Sequence, residues 1–130
     1  MESLCVAETT DPQVSRITMV TTGDTAIVEQ IKKQLFKLIN VIKVYDLTGT
    51  EHVQRELALI KVNAKPDHRA EILRVVDIFR AKVVDVGPDH YTIEMTGDKE
   101  KLTAIQALLK PMGIKEIART GQIALLRETK

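Results

Sequence analysis

The chain has 130 residues, 44% apolar and 28% charged, enough to bury a real core as one ordinary domain or two small ones. Its 19 basic and 18 acidic side chains leave a net charge of +1, which gives no electrostatic reason to expect nucleic acid or an anionic membrane surface as partner. The single cysteine, Cys5, excludes an internal disulfide or a multi-cysteine metal site. With no leader pattern and no apolar run near the ~20 residues that span a bilayer, a soluble protein acting where it is made is expected.

Ser3 to Ala7 reads as a strand, Thr9 to Gln13 as a polar turn, and Arg16 to Thr21 as a second strand, so the two form a hairpin. Thr22-Gly-Asp24 ends it and caps a helix in which Ile27, Ile31, Leu35 and Leu38 recur on one face, with Glu29, Lys32, Lys33 and Lys37 outside. Asn40 closes that helix. Val41 to Leu47 reads as a strand and Thr48 to Gln54 as a polar connector. Arg55 to Ala64 is the strongest signal: Leu57 to Ile60 is apolar without a break, the pattern of a strand covered on both faces.

Lys65-Pro-Asp67 stops that strand, and Asp67 caps a helix with Ile72, Leu73, Val76 and Phe79 on one face. Lys82 to Val86 and His90 to Met95 are strands joined by the turn Gly87-Pro-Asp89. Thr96-Gly-Asp98 caps a helix carrying Leu102, Ile105, Leu108 and Leu109, which Pro111 and Gly113 terminate. Ile114 to Ala118 is a strand, Arg119 to Gly121 a hairpin corner that leaves Arg119 for a partner contact, and Gln122 to Arg127 a last extended piece.

The order strand, Thr-Gly-Asp, helix, strand thus occurs twice, each time after a hairpin. Around the second copy it completes a β-α-β-β-α-β unit with two helices on one sheet face. The fold class expected is therefore α+β, two ferredoxin-like units over 1–48 and 55–130. The first (ββαβ) lacks its opening strand and helix, about 20–30 residues at ordinary element lengths. Such a half-unit exposes a sheet edge, so either another chain is expected to complete it or the sequence is expected to be truncated at its N-terminus.

No catalytic set stands out. His52, His68 and His90 have no ligand spacing and read as ordinary turn and surface histidines, and Cys5 reads as a small strand hydrophobe. Thr-Gly-Asp before a helix suggests a phosphate turn, but Asp at the cap repels an anion and no glycine-rich loop supports it. The lysines at 32, 33 and 37 are interrupted by Glu29 and read as a solvated face. An RNA-binding sheet needs stacking aromatics, and the strands offer only Tyr45 and Tyr91.

Several blocks are more specific than a fold. Glu2-Ser-Leu-Cys-Val-Ala7, Asp11-Pro-Gln-Val-Ser-Arg-Ile-Thr-Met-Val20, Glu29-Gln-Ile-Lys-Lys-Gln-Leu-Phe-Lys-Leu38, Val41-Ile-Lys-Val44, Arg55-Glu-Leu-Ala-Leu-Ile-Lys-Val62, Ile78-Phe-Arg-Ala81, Val84-Asp-Val86 and Gly113-Ile-Lys-Glu-Ile-Ala-Arg-Thr-Gly121 occur in order along nearly the whole chain. Together they resemble the small regulatory subunits of acetolactate synthase (acetohydroxyacid synthase). That resemblance implies an N-terminal ACT domain, a C-terminal ferredoxin-like domain, and a homodimer through the ACT domain with valine or a related amino acid at its interface. It also implies a large catalytic subunit as partner, which carries thiamine diphosphate, Mg2+ and usually FAD. The small subunit stimulates that enzyme and makes it sensitive to feedback in branched-chain amino acid biosynthesis.

On this resemblance the chain holds no active site, metal or cofactor of its own and belongs in the cytoplasm, or in the plastid stroma if organelle-encoded. The family's opening strand, Asp-x-x-Gly type turn and helix have no counterpart before Met1, so weakened valine binding is expected. Of the effector-lining positions only Val6 carries over, and the same position suits a plain strand residue equally well. The alternative reading is a free-standing ACT-type amino-acid sensor without a dedicated enzyme partner.

Overall fold

The computed structural model describes residues 2–23, 25–37 and 40–127. It is a mixed α+β structure in two compact units, Met1–Val53 with Ala124–Lys130, and Gln54–Ile123. The division falls within one strand and returns within another, so neither unit is a single stretch of chain.

In the first unit β1 (Ser3–Glu8) and β2 (Ser15–Val20) form the expected antiparallel hairpin, with Leu4 opposite Met19 and Val6 opposite Ile17. The turn is closed by local polar chemistry. Thr9 N–H donates to the Val14 carbonyl at 2.9 Å, and the Asp11 carboxylate accepts from Gln13 N–H at 3.0 Å. Helix α1 (Thr25–Phe36) follows. Its half-buried face is Val28, Ile31, Lys32 and Leu35, whereas Ile27 is 48% exposed, so the face is rotated by one position from that expected. Lys32 lies along the covered side with its ammonium 3.5 Å from Glu29, as a long aliphatic stem permits. The expected cap Asp24 and face residue Leu38 lie outside the described residues.

Val41 to Leu47 is not a strand. Its half-buried positions, Val41, Val44 and Leu47, recur every third residue, which a two-residue pleat cannot present to one face. The segment ends in a turn in which Asp46 accepts from Thr48 N–H at 3.0 Å, and hydrogen bonding from the Thr48 side chain, then from its backbone N–H, holds the Asp46 carboxyl below its usual range.

The second unit contains most of β3 (His52–Asn63), then α2 (Arg69–Ile78), β4 (Lys82–Val86), β5 (His90–Gly97), α3 (Lys99–Leu109), a 3-10 turn at Lys110–Met112 and β6 (Ile114–Arg119). A final strand, β7 (Ile123–Leu126), also pairs with β3. The strand order β4-β5-β3-β6, antiparallel throughout, is that of a split βαβ sheet. β3 begins three residues earlier than the reading from composition, because His52 to Gln54 join the ladder.

β3 is covered on one face only, not on both. Ala58, Ile60, Val62 and the following Ala64 are fully buried, while Leu59 between them is 41% exposed. The unbroken apolar run therefore hid an ordinary alternation. The buried set packs with Ile72, Val75 and Val76 of α2, Ile93 and Met95 of β5, and Leu102, Ile105 and Leu109 of α3. Each large aliphatic side chain buried in this way contributes about 1.5–3 kcal/mol. Leu73 and Leu108, expected inside, are 47% and 48% exposed, and Val75 takes the inward place on α2.

Asp98 caps α3 as expected, its carboxylate accepting from Lys101 N–H at 2.9 Å. Asp67 does not cap α2. The cap position is His68, whose N–H bonds to the Lys65 carbonyl at 2.8 Å, and Arg69 braces the turn by donating to the Ala64 and Pro88 carbonyls at 2.9 and 3.0 Å. At the other end of α2, Arg80 adopts φ 54° while Ala81 N–H reaches the Val76 carbonyl at 2.9 Å, a left-handed helix stop usually taken by glycine.

Gly113 (φ 95°) is required at the turn into β6: its carbonyl accepts from Asn63 N–H at 2.8 Å, and an added Cβ would land on the Asn63 side-chain amide. Gly113→Ala is expected to destabilise the second unit by about 1–3 kcal/mol, read as a lower urea midpoint. Arg80→Gly should move the same midpoint the other way, by roughly 0.5–1 kcal/mol, because the left-handed strain is removed.

Candidate functional site

Along β1 and β2 the side chains alternate, so Leu4, Val6, Ile17 and Met19 share one face of the hairpin as two facing apolar pairs. Leu4, Val6 and Ile17 are 51%, 57% and 58% exposed. Val6, the effector-lining candidate, therefore stands in the middle of an open apolar face. Such a face can offer shape and dryness to an aliphatic side chain. An amino acid's charged ends would take their partners from backbone groups or from other side chains.

The other residues singled out from sequence are not brought together. Cys5 is half-buried in β1 opposite Thr18. His52 Nδ1 lies 2.9 Å from the Thr50 carbonyl, His68 starts α2, and His90 Nε2 lies 3.5 Å from Asp85. Among the described residues no three His, Cys, Asp or Glu side chains converge as a metal site. Lys43 sits over the ring of Tyr45 at 4.7 Å, a cation–π contact that uses one of the two tyrosines locally.

The second unit holds a polar feature that reading the sequence missed. Glu56 is 2% exposed and sits on the inward face of β3, in line with Ala58 and Ile60. Arg119, at the end of β6, donates to its Oε1 through Nε at 2.7 Å and through Nη2. Arg119 is thus neither a hairpin corner nor free for a partner, because a carboxylate withdrawn from water holds it. β6 and β7 do not pair with each other; both pair with β3. Beside Arg119, Thr120 donates its N–H to the Leu57 carbonyl at 3.0 Å, and its Oγ1 accepts from Leu57 N–H at 3.1 Å. The signal was available: Glu56 is the one charge in the two-residue series 56, 58, 60, 62.

On the uncovered side of this sheet lies a shallow depression of about 130 Å³, lined by Leu59, Lys61, Thr92, Glu116 and Ala118. Lys61 and Glu116 lie 3.8 Å apart across it. The lining is small, mixed in polarity and charge-paired, which suits a surface contact better than an enclosed ligand.

Two protein-family models match the chain in order: an acetohydroxyacid synthase small-subunit-like ACT domain at residues 1–43, and the small subunit of acetolactate synthase at residues 55–128. The acetolactate synthase small subunit of Aquifex aeolicus is 55% identical over 130 residues, covering 98% of this chain and 67% of that protein. A chloroplastic acetolactate synthase small subunit of Arabidopsis thaliana is 52% identical over 128 residues, 98% of this chain and 26% of the longer plant protein. The crystal structure of the acetolactate synthase small subunit from Thermotoga maritima superposes with a TM-score of 0.89 at 41% identity, covering 98% of this chain and 80% of that one.

Removing one member of the Glu56–Arg119 pair strands a buried charge. Arg119→Met is expected to cost about 3–5 kcal/mol, and Glu56→Gln in the same chain to restore much of it, a non-additivity measured by urea unfolding of the two single variants and the double variant.

Proposed function

The chain belongs to the acetolactate synthase small-subunit family, and on that premise we propose that it works by contact, stimulating a large catalytic subunit and conferring feedback by valine or another branched-chain amino acid. The observation that carries this is the ordered match of both small-subunit models over nearly the whole chain, at 55% identity to a named small subunit. The chain is a regulatory subunit, and the chemistry belongs to its partner enzyme. The free-standing sensor is the less favoured reading, because its relatives are named as subunits of one enzyme.

Within that reading, residues 1–48 are the ACT portion and residues 55–130 the ferredoxin-like portion. The hairpin face around Val6 supports a role as the effector and self-association surface: it is apolar, exposed and too small a sheet to be stable uncovered. Two copies paired through the ACT portions would cover it, with the amino-acid effector between them. Thiamine diphosphate, Mg2+ and FAD are assigned to the large subunit. The assembly is placed in the cytoplasm, or in the plastid stroma for an organelle-encoded chain. No helix among the described residues is long and apolar enough to cross a membrane.

The test is acetolactate formation by the cognate large subunit, with and without this chain, across a valine titration. Stimulation is the expected outcome, and no change in rate at any chain concentration would overturn the reading. Val6→Asp is expected to raise the valine concentration for half-inhibition about tenfold or more and to leave stimulation in the absence of valine, since it puts a charge on the apolar face. An unchanged valine response in that variant would remove Val6 from the site.

A further inference from the structure

Residues far apart in sequence meet inside the N-terminal unit. After β6 the backbone leaves residues 54–123, and Ala124–Lys130 cluster with Met1–Val53. Among the described residues, side-chain and backbone hydrogen bonds fasten this return. Arg16 Nη2 donates to the Ala124 carbonyl at 2.8 Å across 108 residues of sequence, and Arg127 N–H donates to the Glu51 carbonyl at 3.1 Å. Arg16 lies on β2 directly opposite Ala7 and next to Ile17, the partner of Val6.

A two-stranded hairpin is marginal in water and needs support from outside its own ladder. The guanidinium contact is charge-assisted, and it joins β2 to a segment that β3 also holds through β7. We propose that the C-terminal strand is a latch on the N-terminal unit, with Arg16 as its catch, so that order in the β1–β2 hairpin depends on the far end of the chain. Whatever removes or covers residues 124–127 takes away β7, loosens the hairpin that carries Val6, and leaves the β4-β5-β3-β6 ladder in place. This latch stands on geometry alone and does not require the hairpin face to bind an effector.

Hydrogen exchange read by mass spectrometry tests it on four chains: the full chain, the chain ended after Ile123, Arg16→Met, and the two changes combined. Arg16→Met keeps the aliphatic stem and removes the donor. Its β1 and β2 amides are expected to exchange roughly two- to tenfold faster, the range of one net hydrogen bond. The shortened chain should show a larger acceleration at the same amides, with β5 and α3 unchanged. In the shortened chain Arg16→Met should add nothing, because its acceptor is gone. The latch is refuted if the shortened chain protects β1 and β2 as well as the full chain does. Equal loss across β5 and α3, or an Arg16→Met effect that persists without the strand, refutes it too.

Discussion

Everything in the second unit is arranged about the inward face of β3. Ala58, Ile60 and Val62 are wholly out of water between two neighbouring strands and beneath two helices, and Glu56, buried beside them in the same row, is paired with Arg119 at the end of β6. The pair joins the beginning of the unit to its end. A buried carboxylate is tolerated only with a partner of fixed geometry, so it ties the register of β6 to that of β3 more firmly than apolar packing would. The bulge between Lys61 and Val62 absorbs the remaining mismatch before Gly113 turns the chain.

The first unit is built on a different balance. Its hairpin is fixed by turn chemistry at Thr9 and Asp11, yet its apolar pairs face outward and its helix buries only part of one side. A regulatory subunit works through surfaces of this kind. The proposed effector and self-association surface would be the exposed apolar face of this hairpin. Residues 124–127 cluster with this unit, so its marginal hairpin is tied to a stretch of chain far away in sequence.

Membership of the small-subunit family places the chemistry in another chain, and the structure is consistent with a division of labour. One unit has a packed core and a charge-paired open sheet. The other has a small sheet and an exposed apolar face.

The sequence by itself determined the α+β class, the β1–β2 and β4–β5 hairpins, the helix positions, the Asp98 cap and the family, because these rest on local periodicity, turn residues and contiguous motifs. It did not determine which face of each element turned inward. The run Leu57 to Ile60 looked covered on both sides, Leu73 and Ile27 looked internal, and Val41 to Leu47 looked like a strand, because apolar residues in succession carry no phase. The tertiary structure decided those points by supplying neighbours on one side only. It also decided the fate of Arg119, since a buried ion pair and the return of β7 depend on residues far apart in sequence. Local pattern fixes what a segment can form; only packing against distant chain fixes what each side chain meets.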